Sequence, residues 1–234
     1  MPASETVRRA RRRSARAGLL AALAVAAGTA AAACGTAADT GRSNSDEAFL
    51  TELASRLTSA GDATYTATYT IGGGVTGTIA QAQKPNRVAF TYPTGITMVT
   101  PQGATQCDRG AEQITCLQAP SAAVMSSAIE HGGMIRPDAV ISMLSGVAMD
   151  PDAIVSESDT SYAGLPSTCV SVTYTSGTEG FDACVTSTGL LASFNGTVGA
   201  AHIDMALNRV DGTVADDAFR LPAGAKITGA SPSR

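Results

Sequence analysis

Apolar residues recur along this chain in two periods, and the place where one replaces the other organises the rest. Over 120–149 the spacing is helical. Val124, Met125, Ala128 and Ile129 share one face of a 3.6-residue period, which Gly132 and Gly133 end. Pro137 suits a first helical position and Asp138 a first turn; Val140, Ile141, Leu144, Val147 and Ala148 then share a face again. Four of the seven methionines, Met125, Met134, Met143 and Met149, fall in this stretch. Two short apolar helices between runs of strand form either a lid over a hollow or the cover of a filled core. Methionine serves both, as adaptable binding surface and as gap-filler.

On either side of this insert the period drops to two, after one earlier helix. Residues 45–60 place Phe49, Leu50, Leu53, Ala54 and Leu57 on one face, with Asn44 or Ser45 as cap, Glu47 in the first turn and Gly61 as stop. Residues 63–71 then alternate Tyr65, Ala67, Tyr69 and Ile71 with four threonines, the pattern of a half-buried strand. Gly72, Gly73 and Gly74 turn the chain; no helix follows and no lysine lies near, so this is a hairpin turn and not a phosphate loop. Further strands are expected over 76–83, 87–92 (Val88, Phe90, Tyr92), 96–100, 190–198 and 202–210, the last with Ile203, Met205 and Leu207 facing inward. The segment DDAFRLPAGAKI, with Phe219, Leu221 and Pro222, ends the fold as a short strand or coil.

Two hairpins carry the cysteines. A turn near 111–112 sets Cys107 opposite Cys116. A tight turn at Ser176–Gly177, between strands 170–174 and 178–183, sets Cys169 opposite Cys184. Directly opposed residues lie within disulfide reach, so two disulfides are expected. The spacings are not those of a zinc site, and the chain has only two histidines, His131 and His202.

The N-terminus changes the compartment. Arg8, Arg9, Arg11, Arg12, Arg13 and Arg16 precede an uncharged, alanine-rich run over 17–33, too short and too weakly apolar to span a bilayer. Residues 1–33 read as an export signal. Cys34 follows the small residues, and AAAC–G resembles the lipobox of bacterial lipoproteins, in which that cysteine receives a diacylglyceryl group; Ala31 stands where leucine is usual. Lipid on Cys34 leaves four of the five cysteines for two bridges. Residues 34–44 read as a flexible tether, 45–228 as one domain and 229–234 as a tail. The signal holds six of the 16 basic and one of the 20 acidic residues, leaving 10 and 19 and a net charge of −9. That surface repels nucleic acid and anionic headgroups, so membrane attachment depends on acyl chains.

Catalytic motifs are not legible. There is no nucleophile elbow and no nucleotide-binding glycine pattern. His202 and Asp204 share one side of a strand, which the polar face of an edge strand explains without catalysis. His131 sits at a helix end, where a cation suits the dipole. Asp150 and Asp152 flank Pro151 with too few oxygens for calcium. No metal or cofactor is called for.

The order of elements (lipobox at Cys34, tether, helix, antiparallel strands, helical insert 120–149, more strands, and a closing Phe219, Leu221, Pro222, Gly224, Ala225) resembles the LolA/LolB-like lipoprotein-carrier superfamily. Within it the chain is similar to the LppX/LprG-type lipoproteins of actinobacteria. The resemblance implies an α+β fold: a curved, unclosed antiparallel half-barrel with helices over its concave face. It implies a non-catalytic protein anchored outside the cell membrane, holding the acyl chains of a lipid or glycolipid in an apolar cavity, with a transporter as a further partner. Positions that fit such a lining are Val88, Phe90, Met98, Val124, Met125, Ile129, Val140, Ile141, Leu144, Met205 and Leu207. Two rivals stand beside this reading. One is an interaction lipoprotein with a filled core. The other is an envelope hydrolase, which requires a cleft where His202 or His131 meets an acid and a hydroxyl.

Overall fold

The computed structural model describes residues 44–110, 112–119 and 125–229, all within the compact unit Gly41–Arg234. The export signal, Cys34, most of the tether, Val124 and residues 230–234 lie outside the described residues. The fold is α+β: one curved, unclosed twelve-stranded sheet with a few helices on it.

Helix α1 (Asn44–Ala60) leads into β1 (Tyr65–Ile71), β2 (Val75–Gln83), β3 (Asn86–Tyr92), β4 (Gly95–Thr100), β5 (Gly103–Arg109) and β6 (Ile114–Ala119). The helical insert follows as α2 (Ser126–His131) and α3 (Pro137–Met149). The chain returns through β7 (Ala153–Tyr162), β8 (Leu165–Tyr174), β9 (Phe181–Thr186), β10 (Leu191–Val198) and β11 (Ala201–Asp211), and ends on β12 (Lys226–Thr228). Two antiparallel meanders meet where β1 pairs with β11, giving the order β12-β6-β5-β4-β3-β2-β1-β11-β10-β9-β8-β7. Strand β12 is the exception in direction: it lies parallel to β6. The outer edges are β12 and β7, which do not pair with each other.

The helices cover one face. Leu50, Leu53, Leu57 and Ala60 from α1 and Val140, Leu144 and Val147 from α3 join Tyr65, Ala67, Tyr69 and Ile71 of β1 and the inward residues of β8–β11 in the main core. The alternation of β1 is realised in full, every second side chain being buried. Within this core Phe181 and Phe194 stack at 5.8 Å, and the Tyr69 hydroxyl donates to the Leu191 carbonyl at 2.9 Å. Burial pushes the Tyr65 phenol up to about 12 and raises Tyr69 as well. A phenol ordinarily ionises near pH 10, so folding favours the protonated form. The stability this contributes is intact below pH ~10 and is lost as pH rises through the raised values. In an alkaline titration, the phenolate absorbance of Tyr65 and Tyr69 is therefore expected to appear together with loss of the fold. Their ionisation at the ordinary pH in a still-folded chain would contradict the burial.

The opposite face is covered in part by the C-terminal segment. Leaving β11, the chain brings Val214, Ala218, Phe219 and Ala225 against Ala80, Ala89, Ile96, Met98 and the Cys107–Cys116 pair. Arg87 secures it, stacking over the Phe219 ring at 4.2 Å and pairing with Asp216 at 2.9 Å.

Both disulfides are formed, Cys107–Cys116 and Cys169–Cys184, at directly opposed positions of β5/β6 and β8/β9. The turn of the second hairpin is wider than the sequence suggests. Ladder pairing stops at Val172–Phe181, and β9 begins at Phe181 rather than at 178. Just before β9 the backbone passes close to β8 at Gly180, where a Cβ would stand 1.8 Å from the Val172 carbonyl oxygen. The strand that carries His202 is not an edge strand, since β11 lies between β1 and β10, but its pairing with β1 ends at Met205 and His202 is paired on the β10 side.

Candidate functional site

The lid, α2 and α3, is built by glycines and one arginine as much as by its apolar faces. Gly132 ends α2 directly above the Tyr92 ring, where a Cβ would meet ring carbon at 2.5 Å. Gly133 follows at φ +80°, the left-handed conformation that closes many helices. The chain then passes through Met134 and Ile135, both fully buried, into Pro137 at the start of α3. Arg136 ties the two helices together. It donates to Ser126 Oγ at 2.8 Å at the start of α2 and through Nε to Asp138 at 2.8 Å at the start of α3. Burial opposes the Asp138 charge, but the Arg136 hydrogen bond and charge outweigh it and hold that carboxyl below its ordinary value.

Most of the apolar positions singled out in the sequence meet beneath this lid. Phe90, Ile129, Val140, Leu144, Met205 and Leu207 are buried in the main core, and Val88 and Ile141 pack against it. Met125 is buried at the head of α2. Met98 does not join them. It pairs with Ala89, not with Phe90, and is buried on the opposite face under the C-terminal segment. The residue that faces the lid side from β4 is Thr97, buried and hydrogen-bonded to the Tyr92 hydroxyl at 2.9 Å. Apolar identity at 96, 98 and 99 hides this parity, since both faces of β4 are covered.

A groove of about 470 Å³ opens at the end of the sheet beside α2. Strand β11 outruns its neighbour there, for the last β1 pair is Ile71–Met205 and β11 continues back to Ala201. Into the gap come the glycine turn after β1, the β3–β4 turn and the end of α2. The groove is lined by Gly72, Gly73, Pro93, Thr94, His131, Gly132, His202 and Asp204, with Ile71 and Val75 as apolar wall. His131 Nδ1 lies 2.6 Å from the Ser127 carbonyl, which can only accept, so that nitrogen carries a proton. The groove thus brings both histidines, an acid and a hydroxyl to one place. Among the described residues, no hydrogen bond joins His202, Asp204 and Thr94 into a relay.

At the far end of α3 a second groove of about 400 Å³ is lined by Met143, Val147, Tyr174 and Phe181 with Asp150, Asp152 and Glu179. Asp150 Oδ1 accepts from the Asp152 backbone N–H at 2.9 Å, the geometry of a turn. Among the described residues, no three His, Cys, Asp or Glu side chains are placed to hold a metal ion. Among them also, no helix is long and apolar enough to cross a membrane.

Fold and grooves together define an unclosed, lid-covered sheet of the α+β class. No protein-family model matches the chain, and no curated protein matches it. A solved structure, described as an uncharacterized conserved protein from Thermus thermophilus, is similar to it with a TM-score of 0.47 and 10% sequence identity, over 77% of this chain and 98% of that one.

Proposed function

We propose that this is an exported lipoprotein, anchored through acyl chains on Cys34, that binds a lipid-like ligand under its helical lid without catalysis. The observation that carries the reading is the seating of the lid. A connected pair of short helices presents Ile129, Val140 and Leu144 to an apolar sheet face that also holds Phe90, Met205 and Leu207. Displacing the lid would expose apolar surface on both sides, and an acyl chain would cover it again at about 25 cal/mol per Å². The disulfides are compatible with an oxidising, extracytoplasmic compartment. The test is organic extraction of the purified protein followed by mass spectrometry, with titration of a fluorescent acyl probe. Bound lipid, or saturable probe binding that weakens when Ile129 is replaced by Asp, is the expected outcome. Repeated preparations free of lipid and blind to the probe would overturn it.

One observation favours a second reading. The inward side chains of lid and sheet already form one continuous cluster, as in a protein that uses its outer surface to bind a partner and keeps its interior shut. Failure of both lipid tests in a folded preparation would select that reading.

A further inference from the structure

We propose that the groove between α2 and β11 is a proton-gated anion site, taking a phosphate group at acidic pH and releasing it near neutrality. It stands on different residues from the acyl-binding reading and does not depend on it. The chain has two histidines, 71 positions apart, and the fold delivers both to one groove. The charged and titratable groups that line it can be named element by element. The glycine turn after β1 contributes none, and neither does the β3–β4 turn with Pro93 and Thr94. Helix α2 contributes His131, and β11 contributes His202 and Asp204. With both imidazoles neutral the lining carries one negative charge; with both protonated it carries one positive charge. Protonating both imidazoles therefore reverses the sign of the lining, and histidine in general is the side chain on which such a change falls between about pH 5 and 8.

The geometry suits an anion more than a cation. His131 Nδ1–H is already committed to Ser127, so an added proton goes to Nε2 and makes it a second donor. Gly72 and Gly73 leave open space where any side chain would stand, so a ligand can approach their backbone closely. A divalent metal would need three converging side-chain donors, and among the described residues no three His, Cys, Asp or Glu side chains are placed to hold one. Asp204 completes the gate: near neutrality its carboxylate keeps anions out, and at low pH two imidazolium groups outweigh it. By linkage, an anion that binds the protonated groove takes up protons, and its affinity falls as pH rises by as much as about tenfold per unit for each coupled proton.

The test follows the two histidine ring signals by NMR while inorganic phosphate, and separately a short-chain phosphatidic acid below its micelle concentration, are added to the intact protein at about pH 5.5 and about pH 7.5. The expected result is saturable shifts of both rings at the acidic pH, with affinity at least about thirtyfold weaker at the higher one. His131→Gln and His202→Gln are each expected to weaken binding about tenfold at acidic pH, whereas Asp204→Asn carries binding up to the higher pH. All three positions are exposed, and an unchanged thermal melt checks that each variant folds. Binding of free phosphate alone marks a soluble anion as the ligand, and binding of the phospholipid alone marks a headgroup; either supports the site. Equal affinity at both pH values, indifference to all three substitutions, or no binding by either probe at acidic pH overturns it. So does a zinc titration that shifts both rings when phosphate does not.

Discussion

Leu144→Ala is expected to lower the unfolding free energy by about 2–5 kcal/mol, the range for deleting a fully buried leucine side chain. Leu144 has 0% of its surface exposed and sits with Val140 and Val147 on the inward face of α3. That face packs against Leu50, Leu53 and Leu57 of α1 and against the sheet, so neighbours on three sides would have to collapse into the space left behind. Domains of this kind are stable by only about 5–15 kcal/mol, so one such change removes a large share. Urea unfolding would show it as a lower midpoint at unchanged slope. Met149→Ala, five residues on and 81% exposed, is the control and should stay within about 0.5 kcal/mol. A Leu144→Ala loss below about 1 kcal/mol would mean that α3 rests on the sheet loosely, contrary to the packing described.

Replacing Cys107 and Cys116 together by alanine is expected to cost about 3 kcal/mol through the greater freedom of the unfolded chain. For a domain near this size that corresponds to a melting temperature lower by roughly 6–12 °C. The bridge has further consequences because of what rests on it. Both cysteines are fully buried in the second core, where Met98, Ile96 and the C-terminal segment meet. Strand β12 pairs through Ile227 with Cys116, and Thr228 Oγ1 donates to the Cys116 carbonyl at 3.2 Å. Loosening the β5–β6 hairpin should therefore free β12, seen as faster amide exchange over Lys226–Thr228 and easier proteolysis after β11. Removing Cys169 and Cys184 should cost a similar amount but leave β12 protected, since that bridge lies in the other meander. Equal exchange at β12 in both variants would contradict the coupling.

Some of this architecture needed only local pattern. Tyr65, Ala67, Tyr69 and Ile71 alternate with threonines, and no other conformation buries them all on one face. The faces of α1 and α3, with Gly61 after the first and Pro137 at the start of the second, are equally local. So is the disulfide pairing, because a hairpin's register follows from its turn, and opposed cysteines need no information from the rest of the chain. His202 and Asp204 share a side by the same two-residue period.

Other features have no local signature. The strand β7, with its stretch Ser156–Glu157–Ser158–Asp159–Thr160, is nearly all exposed, so no apolar alternation marks it; it exists because β8 offers an edge to pair with. Met98 lies on the face opposite the expected one because alternation separates two sides of a strand without saying what covers each, and here the C-terminal segment covers the side that holds Met98. The parallel seat of β12 on β6, and the sharing of one groove by His131 and His202, join residues far apart in sequence. Periodicity is written by nearest neighbours along the chain and can be read from them. Which faces become covered, and which distant side chains share a groove, is set by strand order and by the curl of the sheet, and only the folded chain decides it.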